Sequence, residues 1–94
     1  MYGTVMIARP TVSIDQFRAI GERWQQGRTP PPGYVDTQVM AADDGRVVMA
    51  VRFASKEAYQ ALAADPRQAE WYRTELAPAL DGEPEWIDGH WQSL

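Results

Sequence analysis

Hydrophobic residues along this chain fall into blocks, and the spacing within each block predicts its element. Residues 3–8, Gly-Thr-Val-Met-Ile-Ala, are apolar at nearly every position. A half-buried strand would alternate, so this run predicts a strand covered on both faces. Pro10 ends it. Ser13 followed by Gln16 makes a capping box that opens a helix. Phe17, Ile20, Gly21 and Trp24 then recur at helical spacing opposite Arg18, Glu22 and Gln25. Gly27 is the predicted stop.

Three consecutive prolines, Pro30 to Pro32, exclude helix and central strand and predict a stiff connector. Residues 34–41 and 46–54 flank Ala42-Asp43-Asp44-Gly45, which is hairpin chemistry with Gly45 in the left-handed position. In the second strand Val47, Met49, Val51 and Phe53 share one face. The opposite face carries Arg46, Val48, Ala50 and Arg52, so its centre is apolar too. Ser55 caps the next helix, whose buried side is predicted to hold Ala58, Tyr59 and Leu62. Asp65-Pro66 reads as a second cap that restarts the helix after a kink. Ala69, Tyr72, Leu76 and Leu80 are expected to continue the stripe, and residues 85–92 to form the last strand.

The order strand, helix, strand, strand, helix, strand is the ferredoxin-like β-α-β-β-α-β unit of the α+β class, an antiparallel four-stranded sheet with both helices on one face. Four strands span roughly 19 Å at about 4.8 Å each, which two helices about 10 Å wide cover on one side only. The strands are apolar on both sides, so the uncovered face would be an exposed patch larger than a monomer usually carries. A homodimer with the two sheets packed face to face is the expected solution.

Composition narrows the function. Ninety-four residues make a single domain, 1–94. Thirteen acidic against nine basic residues give a net charge of −4 with scattered arginines, which argues against nucleic acid. No cysteine is present, so thiolate nucleophiles and disulfides are excluded. No apolar run approaches a membrane span, no signal segment is evident, and a cytoplasmic location is expected. A single lysine beside eight arginines points to a GC-rich bacterial genome.

Residues 46–62, Arg-Val-Val-Met-Ala-Val-Arg-Phe-Ala-Ser-Lys-Glu-Ala-Tyr-Gln-Ala-Leu, follow the Asp-Asp-Gly turn and precede a kinked helix and a short aromatic strand. In that arrangement the whole chain resembles the dimeric α/β-barrel proteins, and among them the antibiotic biosynthesis monooxygenase (ABM) domains. The resemblance implies a small apolar or aromatic ligand between each sheet and its own helices. It also implies cofactor-independent oxygenation of an aromatic or polyketide-type substrate, with no cofactor and no metal. Oxygenases of that group typically carry a catalytic asparagine, and this chain has none. A non-catalytic dimer that binds a metabolite or serves a structural role is the alternative. Haem degradation ranks third, because the resemblance places its axial ligand on a helix.

Trp71 and Tyr72 are the leading catalytic candidates, since residues of this helix line the ligand cavity in the resembled family. His90 is the third. Asp88 and His90 share a strand face and suit proton transfer, although a lone histidine without cysteine is too few ligands for a metal. The plainer reading of His90 is a strand-end residue satisfied by a neighbour. Arg52 and Arg9 are charged groups near the ends of apolar strands, placed to bind a carboxylate or phenolate at a cavity rim, with a structural ion pair as the plainer reading. Trp24, at the end of the first helical stripe, is placed to line the same cavity, with core packing as the plainer reading.

Overall fold

The computed structural model describes residues 1–26 and 28–94, so the stop expected at Gly27 lies outside the described residues. Four strands, β1 (Tyr2–Ala8), β2 (Tyr34–Ala41), β3 (Val47–Phe53) and β4 (Glu85–His90), form one antiparallel sheet in the order β2-β3-β1-β4. Helices α1 (Ile14–Gln25), α2 (Lys56–Ala63) and α3 (Pro66–Trp71) lie across one side. This is the ferredoxin-like β-α-β-β-α-β arrangement.

Local chemistry sets the boundaries. The Ser13 hydroxyl accepts from the Gln16 amide, and the Gln16 side chain accepts from the Ser13 amide, so two orphan donors of α1 are satisfied at once. Ser55 accepts from the Ala58 amide at 3.1 Å. Asp65 accepts from the Arg67 amide at 2.9 Å, with Pro66 at a position that lacks a free donor anyway. Gly45 takes φ 91° in the β2–β3 turn, where a side chain would be strained.

Register assigns the faces. Tyr2, Thr4, Met6 and Ala8 stand opposite Phe53, Val51, Met49 and Val47, and His90, Asp88 and Trp86 join the same side. That side faces the helices. Met6, Ala8 and Val47 are buried there with Phe17, Ile20, Leu76, Ala79 and Leu80. The other side presents Val5, Ile7, Val48 and Ala50, half-buried in the chain itself, together with Met40 (57% exposed) and Ile87 (52% exposed). Trp91 follows Ile87 and Gly89 onto this open face and lies across Gly3. A β-carbon on Gly3 would stand 2.6 Å from its indole Nε1 and 2.1 Å from the Val51 carbonyl oxygen.

Three expectations are corrected. Ala69 is exposed rather than buried, and α2 has no fully buried residue. After α3 the chain widens into a single π-helical turn (Tyr72–Leu76) and then tightens into a 3₁₀ turn (Ala77–Ala79). Leu80 therefore leaves the helix, bridges Pro10 as extended chain, and enters the core from there. The last strand stops at His90, two residues early, although the Trp91 amide still donates to the Met1 carbonyl at 2.8 Å. Among the described residues no helix is long and apolar enough to cross a membrane.

Candidate functional site

Two clefts meet at Trp71. The smaller, about 220 Å³, opens between α1 and the β2–β3 half of the sheet, with Phe17, Gly21, Val39, Met49 and Leu76 in its walls. The larger, about 1240 Å³, lies between the end of α1, the proline linker, α2 and α3. Trp71 lines both, and Trp24 lines the larger.

The indoles are packed as a pair. Their ring centres are 6.0 Å apart, and Trp24 also lies 5.8 Å from Tyr34. Trp24 Nε1 donates to Gln68 Oε1 at 2.7 Å, which ties α1 to α3. Trp71 Nε1 has no partner at all, although the atom is buried. A buried donor without an acceptor costs roughly 1–3 kcal/mol, so few such groups persist in folded proteins. The π-helical turn begins at the next residue. Such turns are rare and occur preferentially at functional positions.

Trp71 and Tyr72 face different neighbours, and only Trp71 lines the clefts. Tyr72 turns toward β4, where its ring lies 6.0 Å from Trp86. Burial, and then the Glu83 carboxylate, raise its pKa above the usual phenol value, so it is a neutral hydroxyl near neutrality.

His90 stands at the far end of the sheet, edge-on to Tyr2 at 4.9 Å. Asp88 shares its face, as the spacing predicts. Its carboxylate accepts from Thr4 Oγ1 at 2.6 Å and, at 3.4 Å, from the Tyr59 hydroxyl. Neither Asp88 nor His90 lines either cleft. Among the described residues no three metal-binding side chains converge.

The two arginines expected at a cavity rim lie elsewhere. Arg52 projects from the open face and grips Asp36 with two hydrogen bonds, Nε donating at 2.8 Å. That contact holds the Asp36 carboxyl below its ordinary pKa and raises that of Arg52. Arg9 donates to the Asp44 carbonyl across the hairpin at 3.2 Å. Both side chains meet strand neighbours first, because register brings an acidic residue or a turn carbonyl within reach before any ligand. Three residues near the clefts escaped sequence reasoning: Gln68, Arg28 and Thr37. Gln68 had a signal, lying one turn before Trp71 on the same helix. Thr37 accepts or donates to Tyr34 across a bulge that periodicity does not reveal.

The shape of the chain can be set against known proteins. No protein-family model matches the sequence, and no curated protein matches it. Among solved structures, a monooxygenase from the ActVA-Orf6 gene of Streptomyces coelicolor, in complex with nanaomycin D, superposes with a TM-score of 0.74. The match covers 99% of this chain and 88% of that one at 24% identity. The fold is that of the antibiotic biosynthesis monooxygenases. SnoaB, a cofactor-independent oxygenase from Streptomyces nogalater, shares the ABM fold with a TM-score of 0.75, 17% identity, and coverage of 99% and 95%. MhuD, in a substituted form with two manganese protoporphyrin IX molecules bound per active site, shares it at 0.64, with 17% identity and coverage of 96% and 93%.

Proposed function

We propose that the protein binds an aromatic small molecule in the clefts around Trp71 and oxygenates it without a cofactor. One observation carries the reading: Trp71, which lines both clefts, holds a buried indole N–H with no acceptor, in a chain with the ABM fold. An electron-rich phenol or anthrone, once deprotonated, donates an electron to dioxygen. One oxygen atom ends as a ring carbonyl and the other leaves as water. What the protein contributes is a donor for the substrate oxygen that carries negative charge, held in a site of low polarity. The chain has no asparagine to fill that role. The reading assigns it to Trp71 Nε1, a buried donor without a partner on a residue that lines both clefts.

The functional unit in this reading is a homodimer joined through the open faces of its two sheets. The patch of Val5, Ile7, Met40, Val48, Ala50, Ile87 and Trp91 supports it, because a chain this small rarely exposes so continuous an apolar surface.

Oxygen uptake with an anthrone or a hydroquinone, without added flavin or metal, tests the catalytic claim. Uptake is expected in the native chain. Trp71→Phe, which keeps an aromatic ring but removes the N–H, is expected to lower kcat by about 10²-fold. Unchanged turnover in that variant would overturn the role given to Trp71. No uptake across a panel of such substrates, with binding retained, would favour the second reading, a non-catalytic metabolite-binding dimer. That alternative draws on the absence of any histidine or other general base from the walls of the smaller cleft, apart from the rim carboxylate of Glu22.

A further inference from the structure

We infer that the larger cleft selects aromatic ligands that carry an anionic group, and that Arg28 binds that group. The inference rests on the reading of this cleft as a ligand site and goes on to name the class of ligand. Three arginines line the cleft: Arg23, Arg28 and Arg67. Two are already engaged. Arg67 Nη2 lies 3.0 Å from Asp65, and Arg23 Nη2 lies 3.6 Å from Glu75. Arg28 has no carboxylate within 4.0 Å among the described residues, and its guanidinium lies over the Trp24 ring, 4.8 Å from the ring centre.

Stacking leaves the edge of a guanidinium free, and that edge presents its N–H donors in the plane where a carboxylate or phenolate docks. The indole holds the cation in place, so little rotamer freedom remains to be lost on binding. The walls suit an aromatic body. Pro30, Pro31 and Pro32 form one side, and Ala58, Ala61 and Leu62 of α2 form the other. The linker meets α2 at Gly33, where a β-carbon would stand 2.5 Å from that of Ala58, so this end of the cleft is closed. Three carboxylates line the cleft as well: Asp65 and Glu75 face Arg67 and Arg23, with Arg28 adding a weaker pull on Asp65, while Glu57, in the first turn of α2, repels an anion placed at its own end. The anionic group therefore belongs on the linker side, beside Arg28, with the ring system running toward Trp71. A volume of about 1240 Å³ is ample for several fused rings.

Calorimetric titration with naphthalene carboxylate and with its uncharged carboxamide tests the assignment. The carboxylate is expected to bind about tenfold more tightly than the amide, with affinity falling as salt is added. Arg28→Gln is expected to erase that preference. Arg28→Lys is expected to retain part of it, and Arg46→Gln, on the β2–β3 hairpin away from the cleft, to leave it unchanged. Circular dichroism of each variant confirms the fold. Equal affinities in the native chain, a preference that survives Arg28→Gln, or no binding of either probe would overturn the inference. Oxygen uptake from an uncharged anthrone would remain unaffected by any of those three results, so the proposed function stands or falls separately.

Discussion

Ala50 offers the sharpest test of how this small sheet is completed. It sits at the centre of the open face, on β3, flanked by Val5 of β1 and Gln38 of β2. Replacing it with lysine adds a charged side chain to a surface that, in a lone protomer, faces water. The stem lies along Val5 and the ammonium stays hydrated, so protomer stability is expected to change by no more than about 0.5 kcal/mol. In a face-to-face dimer the same position lies in the middle of the interface. Arg52, two residues along the same face, adds a like charge, and its own partner Asp36 is already engaged. The effective cost of burying an unpaired ammonium is several kcal/mol. A two-fold interface applies the cost twice. Taking about 3 kcal/mol per copy gives about 6 kcal/mol, or a dissociation constant raised by roughly four powers of ten.

Sedimentation velocity across micromolar concentrations reads this directly. The native chain is expected at twice the 10.6 kDa of the protomer and Ala50→Lys at 10.6 kDa, with the far-ultraviolet spectrum unchanged. Ala50→Val, which adds only apolar bulk, is expected to remain dimeric. Thermal unfolding gives an independent reading, since the melting temperature of a dimer rises with protein concentration whereas that of a monomer does not. A native chain that sediments as a monomer, or an Ala50→Lys variant that sediments with the native dimer, would refute the face-to-face arrangement.

Other substitutions probe single contacts. Gly3→Ala places a β-carbon 2.1 Å from the Val51 carbonyl oxygen and 2.6 Å from Trp91, and is expected to cost about 1–3 kcal/mol in a urea titration. Ser55→Ala removes the cap of α2 and is expected to cost about 1 kcal/mol, with Ser55→Asp restoring most of it. Arg52 depresses the Asp36 pKa below 3.8, so the pair's contribution is complete above that value and is lost as pH falls through the lower folded pKa. Asp36→Asn is therefore expected to flatten the acid limb of the stability profile without moving the rest. Burial, then Asp88, raise the Tyr59 pKa above 10.0, so the folded chain keeps a proton that the unfolded chain releases as pH rises past that value. Tyr59→Phe is expected to remove that alkaline loss of stability.

What the sequence made legible is what local chemistry decides. Caps at Ser13, Ser55 and Asp65 and the turn at Gly45 each depend on a few adjacent residues, and all four stand where expected. Topology followed, because the order of elements leaves few ways to close a sheet. Contacts set by packing were less legible. Leu80 matched the helical period, yet the π-helical turn at Tyr72 and the 3₁₀ turn at Ala77 shift the register, and Pro10 captures the residue as extended chain. An ion pair was the plainer expectation for Arg52, but its partner, Asp36, lies across a bulged strand pair whose register no periodicity reports. Trp71 was found by resemblance. The orphaned indole N–H that gives it chemical meaning became apparent only with its neighbours in place.

The last strand gathers two tryptophans, an aspartate and the sole histidine within residues 84–91, and all six positions of β4 are exposed. It is an edge strand, and the helix layer covers it only in part. Trp86 is left 44% exposed on the helix side and Ile87 52% exposed on the other. None of its residues lines either cleft at Trp71. On the helix side Tyr59 and Tyr72 lean over Asp88 and Trp86 and shield part of the strand. On the other side only material from outside the chain can complete the job. A strand this rich in large apolar side chains is stable in water when something lies against it, and in the proposed dimer that role falls to the open face of a second copy.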